Sequence, residues 1–247
     1  MVRFLFISVL NLVFIVCLPG PTGGAQAGPL QHLGDAARSQ WAAVGYVKGP
    51  AYRMERGCSG VLIAPDLVVT AAHCMTGALG NLANQQFQAG LEGTRYVAKR
   101  RFEDISLHPL YARSRGRGRL AVDLAVVRLV EPIPPEDVRP LPLASASQPL
   151  QDQGFLLGYP YGKEKRLTGR AACPLLGLLP SGVLRYGCEV VGGHSGGAVV
   201  VQTPQGPALA AIIVARAEDT GDALAVPVGT WLREKQRQAL ARFSAKK

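Results

Sequence analysis

A serine stands at position 195 between two pairs of glycines, Gly192-Gly193 and Gly196-Gly197, ahead of the apolar run Ala198-Val199-Val200-Val201. Glycines on both sides permit sharp positive-φ turns and let a second molecule approach the backbone. Such a serine is either a tight turn into a strand or an exposed nucleophile. A serine hydroxyl is a poor nucleophile until a neighbouring base takes its proton. Four histidines are present: His32, His73, His108 and His194. His73 follows Thr70-Ala71-Ala72 at the end of an apolar stretch and directly precedes Cys74. A disulfide there would hold the histidine backbone still, as a general base requires. Asp123 opens the apolar run Leu124 to Leu129. Its carboxylate is therefore expected to be partly buried and in need of a partner, for which an imidazole N–H is suitable. The backbone N–H groups of Gly193 and Ser195 are candidates for an oxyanion hole, in which one donor contributes roughly 3–4 kcal/mol.

The letters Gly193-His194-Ser195-Gly196-Gly197 also satisfy the G-x-S-x-G pattern of an α/β-hydrolase elbow. That arrangement needs its catalytic histidine after the serine. All four histidines precede Ser195, and Ala198 to Val201 reads as strand where the elbow would enter a helix. The elbow is excluded.

The elements that must hold these residues read as short strands. Trp41 to Val47 is one candidate. Cys58 to Ala64, the turn Pro65-Asp66 and Leu67 to Thr70 read as strand, turn, strand. Tyr96 to Ala98, Arg101 to Leu107 and Asp123 to Leu129 follow. Pro132, Pro134, Pro135, Pro140 and Pro142 then exclude a helix interior or a central strand. Residues 132–142 are expected to be a linker between a first unit (41–131) and a second (143–247). In the second half Gly154 to Tyr159, Val183 to Cys188, Ala198 to Val201, Ala208 to Ala215 and Ala223 to Val228 read as strands. Trp231 to Phe243 has the amphipathic pattern of a helix of about three turns. Many short strands imply an all-β sandwich or barrel, and the linker implies two of them. A cleft between such units is a favoured place for a site.

The amino end has the anatomy of a secretory signal: Met1-Val2-Arg3, an apolar run from Phe4 to Leu18, and Ala25-Gln26-Ala27 as a cleavage site. The run is shorter than the ~20 residues of a spanning helix. Cys17 lies inside it behind the bulky Val16, which disfavours lipoprotein processing. Residues 1–27 are expected to be removed and the product secreted or periplasmic. Residues 28–40 read as a loosely held arm, with Arg38 a candidate trimming point. Cys58, Cys74, Cys173 and Cys188 remain, an even set that reads as disulfides in an exported protein. Neighbour pairing closes two loops of about 15 residues, each worth roughly 3 kcal/mol. With no C-x-x-C pair and no histidines spaced around the cysteines, no metal is expected.

Lys and Arg number 27 against 17 Asp and Glu. Such a balance favours acidic partners. Much of it is local: Arg113, Arg115, Arg117 and Arg119 alternate with Ser114, Gly116 and Gly118 in what reads as a solvated, mobile loop. No aromatics interleave, so nucleic acid is not an expected partner.

Taken together, Cys58-Ser59-Gly60-Val61-Leu62-Ile63, Thr70-Ala71-Ala72-His73-Cys74, His108-Pro109-Leu110-Tyr111, Asp123-Leu124-Ala125-Val126 and Gly193-His194-Ser195-Gly196-Gly197 resemble the trypsin/chymotrypsin-like serine endopeptidases. The resemblance is closer to the bacterial, glutamyl-endopeptidase-like branch. It implies two packed six-stranded antiparallel β-barrels with a C-terminal helix. It implies a triad of His73 and Asp123 from the first barrel with Ser195 from the second, and an oxyanion hole at Gly193 and Ser195. It implies peptide or protein substrates and no cofactor. A bridge from Cys188 to Cys173 fits the bacterial branch. The chain departs from the family pattern at His194, where Asp or Asn is usual, and lacks an Ile-Val-Gly-Gly amino terminus, so the zymogen switch is expected to be absent. Glutamyl-specific relatives carry a histidine where Ile213 falls, so Glu specificity is not expected. Glu189 is a candidate S1 residue favouring Arg or Lys, or else a structural acid beside Cys188. The expected product is a secreted, monomeric serine endopeptidase. The alternative is a weakly active or inactive protease-like protein that binds an acidic partner or polyanion through the basic loop.

Overall fold

The structure is a computed structural model that describes residues 28–48, 57–78, 81–82, 84–147, 150–162 and 164–245. The predicted signal segment 1–27, with Cys17, lies outside the described residues. The amino-terminal segment forms a short strand β1 (Gln31–His32) and a helix α1 (Asp35–Gln40). A closed six-stranded barrel follows: β2 (Val44–Lys48), β3 (Cys58–Ala64), β4 (Leu67–Thr70), β5 (Gln86–Ala89), β6 (Ala98–Leu107) and β7 (Ala125–Leu129). The closing order is β2-β3-β4-β7-β6-β5, all antiparallel. Two short helices lie in its connections, α2 (Ala72–Met75) after β4 and α3 (Gly116–Leu120) before β7.

The second barrel is built from β8 (Gln153–Gly158), β9 (Thr168–Leu178), β10 (Leu184–Glu189), β11 (Ala198–Thr203), β12 (Gly206–Arg216) and β13 (Asp222–Pro227). Its strands run β9-β10-β13-β12-β11-β8, and pairing of β8 with β9 closes it. Helix α4 (Thr230–Ser244) ends the described chain. Two antiparallel barrels and a terminal helix are the predicted architecture. The helix runs 15 residues, about a turn longer than expected.

The side-chain period of two explains why several strands read as unbroken apolar runs. On β11, Val199 faces the second barrel's own core while Ala198 and Val200 join the larger core shared with the first barrel. Ile213 against Ile212 and Val214 on β12, and Leu156 against Leu157 on β8, divide the same way. These strands are buried on both faces, so neither face needs polar residues. At the seam Trp41 meets Phe155 edge-on at 5.4 Å and Tyr46 meets Tyr159 at 6.0 Å. Helix α4 crosses back to the first barrel, burying Leu232 and Ala239 and donating from Gln236 Nε2 to the Ile63 carbonyl.

Three expectations need correction. The segment before Trp41 is held, not loose. Gln31 and His32 pair with Gly169 and Thr168 of β9, on the stretch that β10 does not reach. Arg38 is largely buried, donates to the Gly90 carbonyl and pairs with Asp35 and Glu92. Trimming there would cut a docked segment. The proline-rich run is a strap on the first barrel: Ile133 and Val138 are buried, and Ile133 and Leu141 donate their N–H groups to Pro65 and Leu62. The Arg113–Arg119 stretch contains a helix, with Arg119 stacked 4.3 Å from the Tyr111 ring centre.

Candidate active site

The first barrel presents His73 on the one-turn helix α2, directly after β4, and Asp123 two residues before β7. Because β4 and β7 are paired, Thr70 opposite Ala125, the two loops leave the barrel side by side. Both Asp123 carboxylate oxygens go to His73. Oδ1 accepts its backbone N–H at 2.9 Å, and Oδ2 lies 2.7 Å from Nδ1. An ionised carboxylate only accepts, so Nδ1 carries the proton and Nε2 is left as the basic nitrogen. Asp123 is buried and His73 is 42% exposed at its side chain. The arrangement is an oriented imidazole with its working nitrogen outward. The Cys58–Cys74 disulfide ties α2 to β3. Cys58, His73 and Cys74 place potential ligand atoms within 4.8 Å of one another, but the sulfurs are bonded to each other and are not thiolates. The second disulfide joins Cys173 to Cys188, also as predicted.

The second barrel contributes the turn 191–197 between β10 and β11. Gly193 has φ +99° and a Cβ there would lie 2.3 Å from the Tyr159 carbonyl; Gly196 has φ +82° and a Cβ would lie 2.0 Å from the Ser59 carbonyl. Neither position admits a side chain without displacing backbone. The peptide carbonyls of the turn are held in sequence. Gly192 C=O accepts from Tyr161 N–H at 2.7 Å, and His194 C=O from Gly197 N–H at 2.8 Å. In a trans peptide the N–H points opposite the C=O. The N–H groups of Gly193 and Ser195 thus point away from these partners, and neither has an acceptor among the described residues. Ser195 is half-buried. No hydrogen bond between its hydroxyl and His73 is formed among the described residues, which is common in unliganded sites.

Ser59, given no role of its own by the sequence, joins the two halves. Its N–H donates to the Ser195 carbonyl at 2.8 Å. Its hydroxyl donates to the Gly193 carbonyl and accepts from Tyr159 N–H, each at 2.8 Å, and its carbonyl accepts from the Thr70 hydroxyl at 2.7 Å. The available signal was one buried hydroxyl in an otherwise apolar strand, which demands a partner.

His194 is 3% exposed and lies beneath the turn. Its Nδ1 accepts Val191 N–H at 3.0 Å, and its Nε2 lies 2.9 Å from the Thr168 hydroxyl, which donates to the Gly158 carbonyl at 2.9 Å. The neutral tautomer with the proton on Nε2 satisfies every member of this chain. Burial is the main cause of a pKa lowered to about 4, and the nearby Arg170 charge adds to it. A neutral imidazole thus fills the place where Asp or Asn is usual in the family pattern.

Of the proposed specificity residues, Glu189 ends β10 opposite Asp222, exposed, with its stem over Gly221. Ile213 is buried in the second barrel's core, and its backbone braces the turn through Gly196 N–H to Ile213 C=O at 2.7 Å and Ile213 N–H to Gly197 C=O at 2.9 Å.

Comparison with known proteins agrees with this architecture. A solved structure of Glu endopeptidase in complex with MPD superposes with a TM-score of 0.69 at 14% identity, covering 87% of this chain and 97% of that one. Human (Homo sapiens) chymotrypsin-like elastase family member 3A is 33% identical over 113 residues, 44% of this chain and 41% of that protein. A flavonoid 3'-monooxygenase of Oryza sativa subsp. japonica is 31% identical over 102 residues, 41% of this chain and 18% of that enzyme. The chain thus spans less than half the length of either curated relative. A profile of the trypsin-like peptidase domain matches residues 58–221, which reach from the first disulfide cysteine past the Ser195 turn. The chain belongs to the trypsin-like peptidase family.

Proposed function

We propose that this chain is an exported serine endopeptidase. The observation that carries the reading is the His73–Asp123 pair, in which both carboxylate oxygens fix one imidazole with Nε2 outward. Ser195 Oγ attacks the peptide carbonyl as His73 Nε2 takes its proton. Asp123 holds the Nδ1–H tautomer and stabilises the imidazolium. The N–H groups of Gly193 and Ser195 receive the oxyanion. His73 then gives the proton to the departing amine, and water repeats the sequence on the acyl-enzyme. No step calls for a metal or an organic cofactor. Export is supported by two disulfides, which persist in oxidising compartments. Glu189 is the candidate S1 residue, favouring Arg or Lys substrates, with a structural acid beside Cys188 as the alternative; its side chain is exposed at the end of β10. The test is labelling with a fluorophosphonate probe together with peptidase assay. Wild-type protein is expected to react and Ser195→Ala to do neither. An unreactive wild type overturns the reading.

The second reading, a protease-like protein that binds an acidic partner or polyanion, rests on Arg113, Arg115, Arg117 and Arg119. Arg115 is turned onto the Ala112 and Ser114 carbonyls and Arg119 onto Tyr111, and none of the four pairs with a carboxylate among the described residues. Retention on heparin that falls steeply with salt, without peptidase activity, would favour it. The protein is proposed to act as a monomer under either reading.

A further inference from the structure

We propose that Ser59 is a positioning residue for the oxyanion hole: the first barrel, through the hydroxyl of this one residue, holds the Gly193–His194 peptide that lies between the two planes carrying the Gly193 and Ser195 N–H groups. The inference rests on the endopeptidase reading above and adds to it a residue outside the triad.

Four consecutive peptide carbonyls of the nucleophile turn have donors, and they divide by origin. Those of Gly192 and His194 are held from within the second barrel, by Tyr161 and Gly197. Those of Gly193 and Ser195 are held from the first barrel, both by Ser59, through its hydroxyl and its N–H at 2.8 Å each. The two oxyanion donors lie in the Gly192–Gly193 and His194–Ser195 peptides held from the second barrel, and Ser59 holds the Gly193–His194 peptide between them and the Ser195–Gly196 peptide after them. The Gly193–His194 plane shares the Gly193 Cα with one donor plane and the His194 Cα with the other, so its orientation sets ψ of Gly193 and φ of His194, the torsions that relate the two donor planes. The Ser59 hydroxyl has no freedom to leave. It donates to Gly193 C=O and accepts from Tyr159 N–H, and its own backbone is fixed by Thr70. It sits next to Cys58, whose disulfide partner Cys74 adjoins His73. One short stretch, Cys58-Ser59, therefore fixes the general base through its sulfur and the oxyanion donors through its hydroxyl. The hydroxyl is fully buried, and a Cβ on Gly158 would lie 3.1 Å from its oxygen.

A hydroxyl that only stabilised the fold would change stability and leave the chemistry alone. Purified Ser59→Ala is therefore compared with wild type by steady-state kinetics, by affinity for a peptidyl boronic acid that mimics the tetrahedral intermediate, and by thermal unfolding. The expected result is a 10- to 100-fold loss of kcat with KM within about twofold, a matching loss of boronate affinity, and an unchanged pH profile because the His73–Asp123 pair is untouched. Ser59→Cys, of similar shape and a weaker donor, is expected to fall between the two and guards against a misfolded alanine variant. A lowered melting temperature with kcat and boronate affinity within twofold of wild type overturns the proposal. If wild-type protein itself is unreactive, the endopeptidase reading fails and the placement is read from a crystal structure of Ser59→Ala. A rotated Gly193–His194 peptide supports it there, and an unmoved one overturns it.

Discussion

His73 and His194 are the same side chain in opposite roles, one on each half of the site. His73 is 42% exposed, spends one ring nitrogen on a buried carboxylate and leaves the other free. His194 is 3% exposed and spends both ring nitrogens on neutral partners, Val191 N–H and the Thr168 hydroxyl. A carboxylate partner favours the imidazolium that proton transfer must create. Burial penalises it at His194, and the neutral partners there do not make up for the loss of water. The first barrel thus supplies a group built to change charge, and the second a group built never to do so. The turn proposed to receive an oxyanion is held by bonds whose strength does not depend on its neighbours' protonation near neutral pH.

The largest effects should come from breaking the charged half. Asp123→Asn keeps the shape but offers an amide in place of one acceptor, which favours the wrong tautomer of His73. A loss of about 10,000-fold in kcat is expected, with a stability loss of only about 1 kcal/mol because Asn keeps the shape of the buried Asp123 and an acceptor for the His73 N–H. Comparison of kcat/KM with urea midpoints checks both parts. The neutral half should respond differently. Gly193→Ala puts a methyl against the Tyr159 carbonyl at a positive φ. It should cost about 100- to 1,000-fold in kcat, the value of one oxyanion donor, and lower the melting temperature as well. Equal stability losses in the two variants would erase the distinction between the halves.

How much of this was legible in the sequence follows from where the partners lie. His73, Asp123 and Ser195 each sit beside a local signal: a cysteine, an apolar run, a glycine turn. Both disulfides were legible from the even set of cysteines and their spacing. The role of Ser59 was not legible: a hydroxyl in an apolar strand asks for a partner, but its partner Gly193 is 134 residues away. His194 stood out only as an unexplained departure, because Thr168 opens a strand that went unread. Gly169, Pro174 and Gly177 interrupt β9, and its ladder partners change from β8 to β10 along its length, so neither face shows a steady alternation. The amino-terminal segment misread as loose for a related reason. Its anchors, Gly28, Gln31, His32, Leu33 and Arg38, bond to strands and loops far along the chain and leave a polar, mobile-looking sequence. The Asp123 run was placed correctly but not as strand from its first residue: β7 begins at Ala125, and Asp123 lies in the loop that brings it under His73.

The smallest of these effects is also the one that tests the second histidine alone. His194 has a pKa of about 4 in the folded protein, below the ordinary value of 6.5, with burial the main cause. Between those two values the unfolded chain binds a proton that the folded chain refuses, so stability falls as pH drops through this window and is fully present above it. The loss is at most about 1.4 kcal/mol per pH unit and about 3 kcal/mol across the window. Urea unfolding at pH 7, 6 and 5 should show it. His194→Asn should remove most of that slope, since the amide carries no titrating nitrogen, while lowering stability at pH 7 by about 1–3 kcal/mol through Val191 or Thr168 left unpaired. The same experiment on His73→Asn provides the contrast, because a variant at the exposed histidine should keep the acid slope that His194 causes. If the slope survives in His194→Asn and vanishes in His73→Asn, the two histidines have exchanged the roles assigned to them here, and the neutral strut beneath the turn is the wrong description.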